Sequence, residues 1–449
     1  MAENLTRRYG LFTATCLVVG TVIGSGIFFR NDRVFAVVGG NMAMGIAAWV
    51  IGGLIALSFA YAFGTLSSQD EEASGLADFA QKLVGKKFSY IMGWYMATMF
   101  FPAMSGVLAW VSGRFTVILL GFDVDPNFSA QTYVFALFYL IVIFGMNELA
   151  PKLSEKFHIS CTFIKVIPLI AMAIIGTILG LINGTTVTNV GVAYTPNFDG
   201  HPFFAALIAT AFAYLGWEVA MSVNKEIKNV KKNLPRALVI GMIIIITIYV
   251  AYFVGLFSAA PVESLTSGTG VMIAFSNIFG TTAGTILFVF IIISCLGTLN
   301  GLVIGSGRAF YTLASNNTGP VQEVFSQLDG ATKMPANSMV ISLILIAFWI
   351  LANAGNYMGF YGSFFFDIPG LIPISFKGFM IPIFIGMMIK EKELGFFKRF
   401  ISPGFSILGA LFLICAIIYE QGMGVLVISG VFMVLMIIGL LFEGKKSSA

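Results

Sequence analysis

Charged side chains are scarce in this chain of 449 residues: Asp, Glu, Lys and Arg make up 10% of it, whereas soluble domains carry about 25%. Polar stretches long enough to form a soluble domain are also missing, because only short hydrophilic connections separate the apolar runs. The chain is 58% hydrophobic and 14% aromatic. This composition excludes a soluble protein and predicts a polytopic membrane protein.

Residues that usually carry catalysis or bind metals are few. The four cysteines lie in apolar segments without a CxxC pair, which argues against disulfide frameworks and zinc sites. The two histidines, His158 and His201, stand at the ends of apolar runs, and the sequence has no HExxH motif or Ser/His arrangement. A filter motif or charged ring typical of a channel is missing too. We therefore expect neither an enzyme nor a channel, and no metal or other cofactor.

The apolar runs are long enough for membrane-spanning helices, which need about 20 residues each. Twelve spans are predicted, at approximately 11–29, 42–66, 88–120, 131–147, 159–183, 203–222, 236–259, 283–310, 337–354, 368–390, 403–420 and 424–442. Most of the 25 Lys and Arg residues fall on one side of this arrangement. The positive-inside rule then predicts that both termini are cytoplasmic. Arg7, Arg8, Lys445 and Lys446 belong to the cytoplasmic set, and Arg30, Arg33 and Arg114 fall on the outer side.

Two predicted spans contain helix-breaking residues. The first span carries Gly24-Ser25-Gly26, and the sixth reads "TAFAYLGWEVA", with Gly216 between bulky residues. Glycine costs about 1 kcal/mol in a helix interior, and backbone groups freed in lipid need partners. Close packing of small residues would explain one such break. Breaks in the first and sixth spans instead suit two five-helix halves of opposite topology, with a transporter site between the interrupted helices.

Such breaks have a defined binding chemistry. Free N–H groups and the positive end of a half-helix can hold a carboxylate, and exposed carbonyls can hold an ammonium group. A zwitterionic amino acid supplies both charges, so the pattern predicts a small-molecule amino acid as substrate, with no nucleic-acid partner.

Three motifs together, "VVGTVIGSGIFF", "FAYLGW" and "NKEIKNVKKNLPRALVIG", resemble the amino acid–polyamine–organocation superfamily, in particular the bacterial relatives of the L-type amino acid transporters. The resemblance implies an all-α membrane protein with a LeuT-like 5+5 inverted repeat, helices 1 and 6 unwound, and two further C-terminal helices. The implied divisions are 11–183, 203–390 and 403–442. The implied activity is sodium-independent exchange of small or medium neutral L-amino acids across the cytoplasmic membrane of a prokaryote, by alternating access.

The resemblance also implies roles for individual residues. Substrate-carboxylate binding maps to the amides of Ile23, Gly24, Ser25, Gly26 and Ile27. Amino-group binding and an aromatic cap map to Phe212, Ala213, Tyr214 and Gly216, with Tyr249 near the substrate. Trp217, with Phe212, is expected to limit the cavity. Eukaryotic relatives pair with a glycoprotein subunit through a cysteine that "GFDVDPNFSAQ" lacks, so no heavy subunit is expected.

Lys165 matches a lysine of sodium-independent relatives. The resemblance implies that its ammonium group takes the place of a bound sodium ion. Independently, a lysine seven residues into a span costs about 2.5–3.5 kcal/mol on insertion scales and is a functional candidate. Its ammonium group would bond the carbonyls freed in the first helix. The alternative is that the side chain snorkels to the cytoplasmic surface.

Several polar residues leave alternatives open. L-type relatives usually have an acidic residue at the position of Leu215, whereas here the acid is Glu218, as in exporters and acid-resistance antiporters of the superfamily. Glu218 is therefore either a proton relay, in a proton-linked antiporter or exporter, or the partner of a neighbouring donor. Asn300 either bonds between helices or lines the pathway. Lys377 is unexplained, and Asp367 is too far along a continuous helix to pair with it directly.

Overall fold

The structure of the protein is a computed structural model that describes residues 10–70, 76–191, 201–218, 227–267, 269–332, 334–361 and 367–443. Arg7, Arg8, Lys445 and Lys446, which are predicted to be cytoplasmic, lie outside the described residues. Within those ranges the chain forms helices and connecting segments, without an extended strand.

The helices are numbered here in chain order. The first nine are α1 (Leu11–Val22), α2 (Gly26–Val38), α3 (Met42–Gln69), α4 (Leu76–Leu83), α5 (Lys86–Leu119), α6 (Ala130–Leu149), α7 (Pro151–Ile164), α8 (Val166–Ile182) and α9 (Thr185–Gly191). The others are α10 (Pro202–Ala213), α11 (Val230–Ala259), α12 (Val262–Leu265), α13 (Gly270–Ser315), α14 (Gln322–Phe325), α15 (Ala336–Tyr357), α16 (Ile368–Lys390), α17 (Phe397–Gln421) and α18 (Met423–Leu440).

Eight of these helices, within the described ranges, are long and apolar enough to cross a membrane on their own. Two bent pairs, α1 with α2 and α8 with α9, raise the number to ten if each pair is one span. The apolar helix α10 and the segment Val427–Leu440 of α18 are shorter, and they lie where the sixth and twelfth spans are predicted. The all-α membrane fold is therefore confirmed, and the count of twelve spans stays a prediction.

The first interrupted span is longer than the sequence predicts. The expected end near residue 29 is wrong, because α2 continues to Val38 and stops where Gly39 adopts the left-handed conformation, with a φ of 58°. The polar run from Arg30 to Asp32 misled the prediction. These three residues are buried instead of solvated, because α2 packs along α10.

The described chain divides into two compact units. The first comprises Met1–Gly85, Val166–Leu287 and Pro373–Glu420. In it, α11 packs against α1, α3 and α8, while α10 packs against α2 and α3. Apolar helix faces meet as aromatic contacts: the ring of Phe384 lies 5.2 Å from that of Phe59 and 5.1 Å from that of Phe63. This unit contains both interrupted helices.

The second unit comprises Lys86–Lys165, Phe288–Ile372 and Gln421–Ala449. Here α5 packs against α6, α15 and α18. Its core is anchored by side chains that satisfy their polar atoms on a neighbouring backbone: the hydroxyl of Tyr90 donates to the Gly439 carbonyl at 2.7 Å, and the indole N–H of Trp94 donates to the Leu435 carbonyl at 2.8 Å. Such pairing lets large amphipathic rings stay buried.

The two compact units are not the predicted repeats. Each unit takes segments from both predicted repeats, 11–183 and 203–390. The units are defined by contacts, whereas a repeat is defined by internal symmetry. The division therefore leaves the repeats, and the separate pair of C-terminal helices at 403–442, as predictions.

Candidate functional site

The first break separates α1 from α2, whose axes differ by 49°. Ile23 leaves the helical conformation with a ψ of 99°, and its N–H donates to the Val19 carbonyl at 2.9 Å. The whole run from Ile23 to Ile27 is buried. Because the first N–H groups of a helix have no intrahelical partner, the start of α2 presents backbone donors inside the protein.

Ser25 adds a side chain to this set of donors. Its residue is fully buried, with 0% exposure, and its Oγ has no hydrogen-bond partner among the described residues. An unpaired hydroxyl in the protein interior is energetically costly. The break therefore places an unpaired hydroxyl beside the N-terminus of a buried helix, which is a suitable environment for an anion.

The second break begins after Ala213, where α10 ends and Tyr214 leaves the helical conformation. Gly216 has a φ of 111°, which favours glycine. A Cβ atom at Gly216 would lie 2.5 Å from the Thr21 carbonyl oxygen. The break therefore needs glycine for its conformation and also for its close approach to α1.

The two breaks lie against each other within the first compact unit. A Cβ atom on Gly26 would lie only 2.8 Å from the Cα of Ala213 and 2.9 Å from the ring of Phe212. The interrupted helices thus approach each other closely at two places. The start of α2 contacts the end of α10, and the second break contacts the end of α1. The structure brings together the two segments that the sequence singles out.

Tyr249, on α11, connects the two interrupted helices. Its hydroxyl lies 3.1 Å from the Val22 carbonyl, at the end of α1, and 3.0 Å from the Ala213 carbonyl, at the end of α10. A tyrosine hydroxyl has one hydrogen, so only one of these carbonyls receives a full hydrogen bond at a time.

Aromatic rings surround these contacts. The rings of Trp49, Tyr214 and Tyr249 form a triangle with centroid separations of 5.2 to 5.9 Å, and the Tyr214 hydroxyl donates to the Trp49 carbonyl at 2.7 Å. Phe212 packs edge-on against Phe29 at 5.0 Å. Since these side chains are buried, the breaks lie in a largely apolar environment that strengthens their polar interactions.

Trp217 and Glu218 complete the described part of the second break. Trp217 is buried, and its ring lies 5.6 Å from that of Phe63. Glu218 accepts the N–H of Gly216 on Oε2 at 3.0 Å. The carboxylate therefore bonds the backbone of the break itself, an arrangement that favours the paired alternative and leaves the proton-relay alternative a prediction.

Three carbonyls near the end of α10 already have side-chain partners. Ala209 accepts from Nε of Arg30 at 2.8 Å, Ala211 from Nζ of Lys377 at 3.3 Å, and Ala213 from Tyr249. The carbonyls of Ala211 and Ala213 belong to the last turn of α10 and lack intrahelical donors, so side chains can satisfy them.

Lys165 belongs to the second compact unit, where it follows α7 and is 6% exposed. The snorkelling alternative requires the side chain to extend to the protein surface. The burial of Lys165 argues against this alternative. Its proposed contact with the first helix joins residues of different units and stays a prediction.

Asn300, also in the second unit, is fully buried in a polar cluster. Its Oδ1 accepts from Nδ2 of Asn147 at 2.8 Å and from Oγ of Ser154 at 3.0 Å, and its Nδ2 donates to the Ser154 carbonyl at 3.2 Å. This bonding joins α13 to α6 and α7, which favours the interhelical alternative over a pathway-lining role.

Comparison with known proteins places this architecture in a family. A family model described as amino acid permease matches residues 9–442. The chain belongs to the amino acid permease family. The resemblance found in the sequence is thus confirmed, and the chain is a multi-pass membrane protein of a transporter family.

Individual relatives agree with this assignment. The permease is 29% identical to the serine/threonine exchanger SteT of Bacillus subtilis over 348 residues, 77% of each chain. It is 24% identical to the human cystine/glutamate transporter over 399 residues, 85% of this chain and 78% of the relative. A methylthioribose transporter of Bacillus subtilis is 25% identical over 362 residues, 77% of this chain and 75% of the relative. These relatives are transporters, and none is named as an enzyme.

Two side chains that bond the second interrupted helix are not among the site residues that the sequence predicts. The sequence predicts for Arg30 only a position on the outer side and indicates no role for Lys377, whereas in the structure both donate to carbonyls of α10. For Lys377 a signal is available, because it is a charged residue in an apolar segment, where charges usually mark function. Arg30 opens a polar run and carries no such signal. Nothing in the sequence indicated that Trp49 borders the breaks.

Proposed function

We propose that this permease exchanges small or medium neutral L-amino acids by alternating access and without sodium. The observation that carries the proposal is the contact between the two interrupted helices, in which Gly26 meets Ala213 and Gly216 meets Thr21. Two broken helices in contact present backbone donors and acceptors to one ligand, and a zwitterion needs both.

The carboxylate of the substrate would bind at the start of α2. Its oxygens would accept from first-turn N–H groups and from the buried Ser25 hydroxyl, whose Oγ has no other described partner. The positive end of the helix favours the negative charge there.

The amino group would bind at the carbonyls that end α1 and α10. Because Tyr249 can donate to only one of Val22 and Ala213 at a time, the other carbonyl is left to accept from a substrate ammonium. Phe212, Tyr214 and Trp217 would form the apolar boundary of the site. The similarity to a serine/threonine exchanger supports substrates of this size.

Lys165 would replace a sodium ion by placing its ammonium group on carbonyls of the first helix. We expect Lys165→Ala to impair transport, because those carbonyls would lose a charge-assisted partner. Unchanged activity of Lys165→Ala would remove this role.

The remaining elements of the proposal concern topology and location. The chain would cross the cytoplasmic membrane of a prokaryote twelve times, in a LeuT-like 5+5 inverted repeat followed by two helices, with both termini in the cytoplasm. It would act without a glycoprotein subunit, since residues 121–131 contain no cysteine to anchor one.

The test is transport in liposomes that contain the purified protein and are preloaded with unlabelled serine. Labelled serine should enter only when the interior holds serine, and to the same extent with and without sodium. Uptake that requires a sodium gradient would contradict the proposal.

A proton-linked antiporter or exporter is the second candidate, favoured by the position of Glu218 in the break. Uptake into empty vesicles driven by a pH gradient alone, and lost in Glu218→Gln, would support it over exchange.

A further inference from the structure

Lys377 is a buried lysine within the apolar helix α16. The residue is 3% exposed, and its Nζ donates to the carbonyl of Ala211 at 3.3 Å. A charged side chain inside a membrane-spanning helix is costly, so its retention calls for a defined partner. The sequence alone supplied no such partner.

The carbonyl of Ala211 lacks its helical donor because of the break. In a continuous helix the N–H of Leu215 would donate to it, four residues on. That N–H instead donates to the Phe212 carbonyl at 3.2 Å, because the chain leaves the helix at Tyr214. Lys377 thus provides the hydrogen bond that the break removes.

Glu218 lies on the other side of the same break. Its carboxylate holds the N–H of Gly216 at 3.0 Å and interacts electrostatically with the Lys377 ammonium. One ammonium group therefore donates to a carbonyl before the break and attracts, without a direct ion pair, a carboxylate after it. All of these residues belong to the first compact unit.

We propose that Lys377 is a positioning residue, which holds the two ends of the sixth-helix break through a hydrogen bond to the Ala211 carbonyl and longer-range attraction of the Glu218 carboxylate. It sets the geometry in which Phe212 and Ala213 face the first break. It also neutralises Glu218, so the site carries no uncompensated negative charge and suits neutral substrates. The consequences for substrate rest on the proposed function, whereas the coupling between Lys377 and Glu218 does not.

The first experiment compares thermal unfolding in detergent of the wild type, Lys377→Met, Glu218→Gln and the double variant. Removing one member of a buried charge pair leaves the other uncompensated, whereas removing both is much better tolerated. We expect the Tm of Lys377→Met to fall further than that of the double variant. A double variant that is as destabilised as Lys377→Met, or more, would overturn the proposal.

If Lys377→Met does not fold, the same comparison still decides. The double variant must then yield folded protein, because it contains no uncompensated carboxylate. Equal failure of both variants contradicts the proposal. This experiment uses no substrate, so its outcome is separate from that of the exchange assay.

The second experiment measures the KM and the maximal rate of labelled serine exchange in liposomes. We expect Lys377→Met to raise the KM about tenfold, with a smaller change in maximal rate, because charge-assisted hydrogen bonds contribute strongly to geometry. The double variant should recover part of the loss. A residue that only stabilises the fold would lower the amount of active protein and leave the KM unchanged.

Lys390→Met is the matched control. Lys390 lies on the same helix, and its Nζ also donates to a backbone carbonyl, that of Lys82, at 3.0 Å. Unlike Lys377, it is exposed and does not bond the helix that ends at the second break. We expect its KM to equal that of the wild type. An unchanged KM in Lys377→Met as well would contradict the positioning role. If the wild type exchanges no amino acid, the proposed function fails, and the unfolding comparison alone judges the pair.

Discussion

The two helix breaks solve the same backbone problem in opposite ways. At the first, between Val22 and Gly26, donors accumulate: the N–H groups that begin α2 and a Ser25 hydroxyl without a described partner. At the second, the acceptors are already engaged, with Ala209, Ala211 and Ala213 bonded to side chains. Under the proposed function, the first break would bind an anion, whereas the second would offer a cation only the carbonyl that Tyr249 leaves unbonded.

Under the proposed function, this difference would give distinct roles to the two ends of an amino acid. Binding of the carboxylate should depend on α2 itself, and binding of the amino group should depend on side chains that control the carbonyls of α1 and α10. Variants that separate these contributions will either sharpen the contrast or abolish it.

The largest effect is expected from Gly26→Ala. Its added Cβ would lie 2.8 Å from the Ala213 Cα, a backbone atom that cannot move aside by changing rotamer. Overpacking of this kind costs about 1–3 kcal/mol, so serine exchange should fall by about 100-fold. Gly145→Ala on α6 is the control, because a Cβ there meets nothing within 4 Å. Equal activity of the two variants would show that the breaks do not need to touch.

Tyr249→Phe should have the next largest effect, since it removes the hydroxyl shared by Val22 and Ala213. A rise in KM of about tenfold is expected, because the ends of α1 and α10 lose the hydroxyl that positions their carbonyls. Tyr252→Phe is a close control on the same helix: Tyr252 is fully buried, and its hydroxyl makes no hydrogen bond to the described residues. A similar KM for both variants would remove Tyr249 from the site.

Ser25→Ala tests the donor side. We expect the KM for serine to rise about fivefold, because a hydrogen bond to the charged carboxylate is lost. The Tm should stay constant or increase, since the hydroxyl is unpaired without substrate. Ser258→Ala removes another buried hydroxyl without a described partner, and there the KM should not change. A drop in Tm with an unchanged KM at Ser25 would make its role structural.

Glu218→Gln should have the smallest effect on exchange, about twofold, because an amide oxygen can still accept the Gly216 N–H and Lys377 keeps its acceptor, the Ala211 carbonyl. Exchange measured at several external pH values should keep the wild-type profile. A profile that becomes flat in this variant would instead favour proton coupling through Glu218.

The sequence was sufficient for the backbone features of the site and insufficient for its side-chain partners. Gly24-Ser25-Gly26 and Gly216 stand out because glycine is costly in a membrane helix, and both mark breaks in the structure. The partner of Lys377 was not predictable, because it is a backbone carbonyl on a helix more than 160 residues earlier. Every residue has such a carbonyl, so the residue type does not show which one is the acceptor. Arg30 led to a wrong prediction, because a charged residue after an apolar run suggests a solvated helix end. In the structure Arg30 is buried and the helix continues to Val38.

The most direct measurement of the central claim is competition against labelled serine uptake by serine, by 2-aminoethanol and by 3-hydroxypropanoate. The second compound lacks the carboxylate and the third lacks the amino group. If the two breaks form one site for a zwitterion, only serine should compete, and both truncated compounds should be at least about 100-fold weaker. Competition by either truncated compound at the concentration effective for serine would contradict the account.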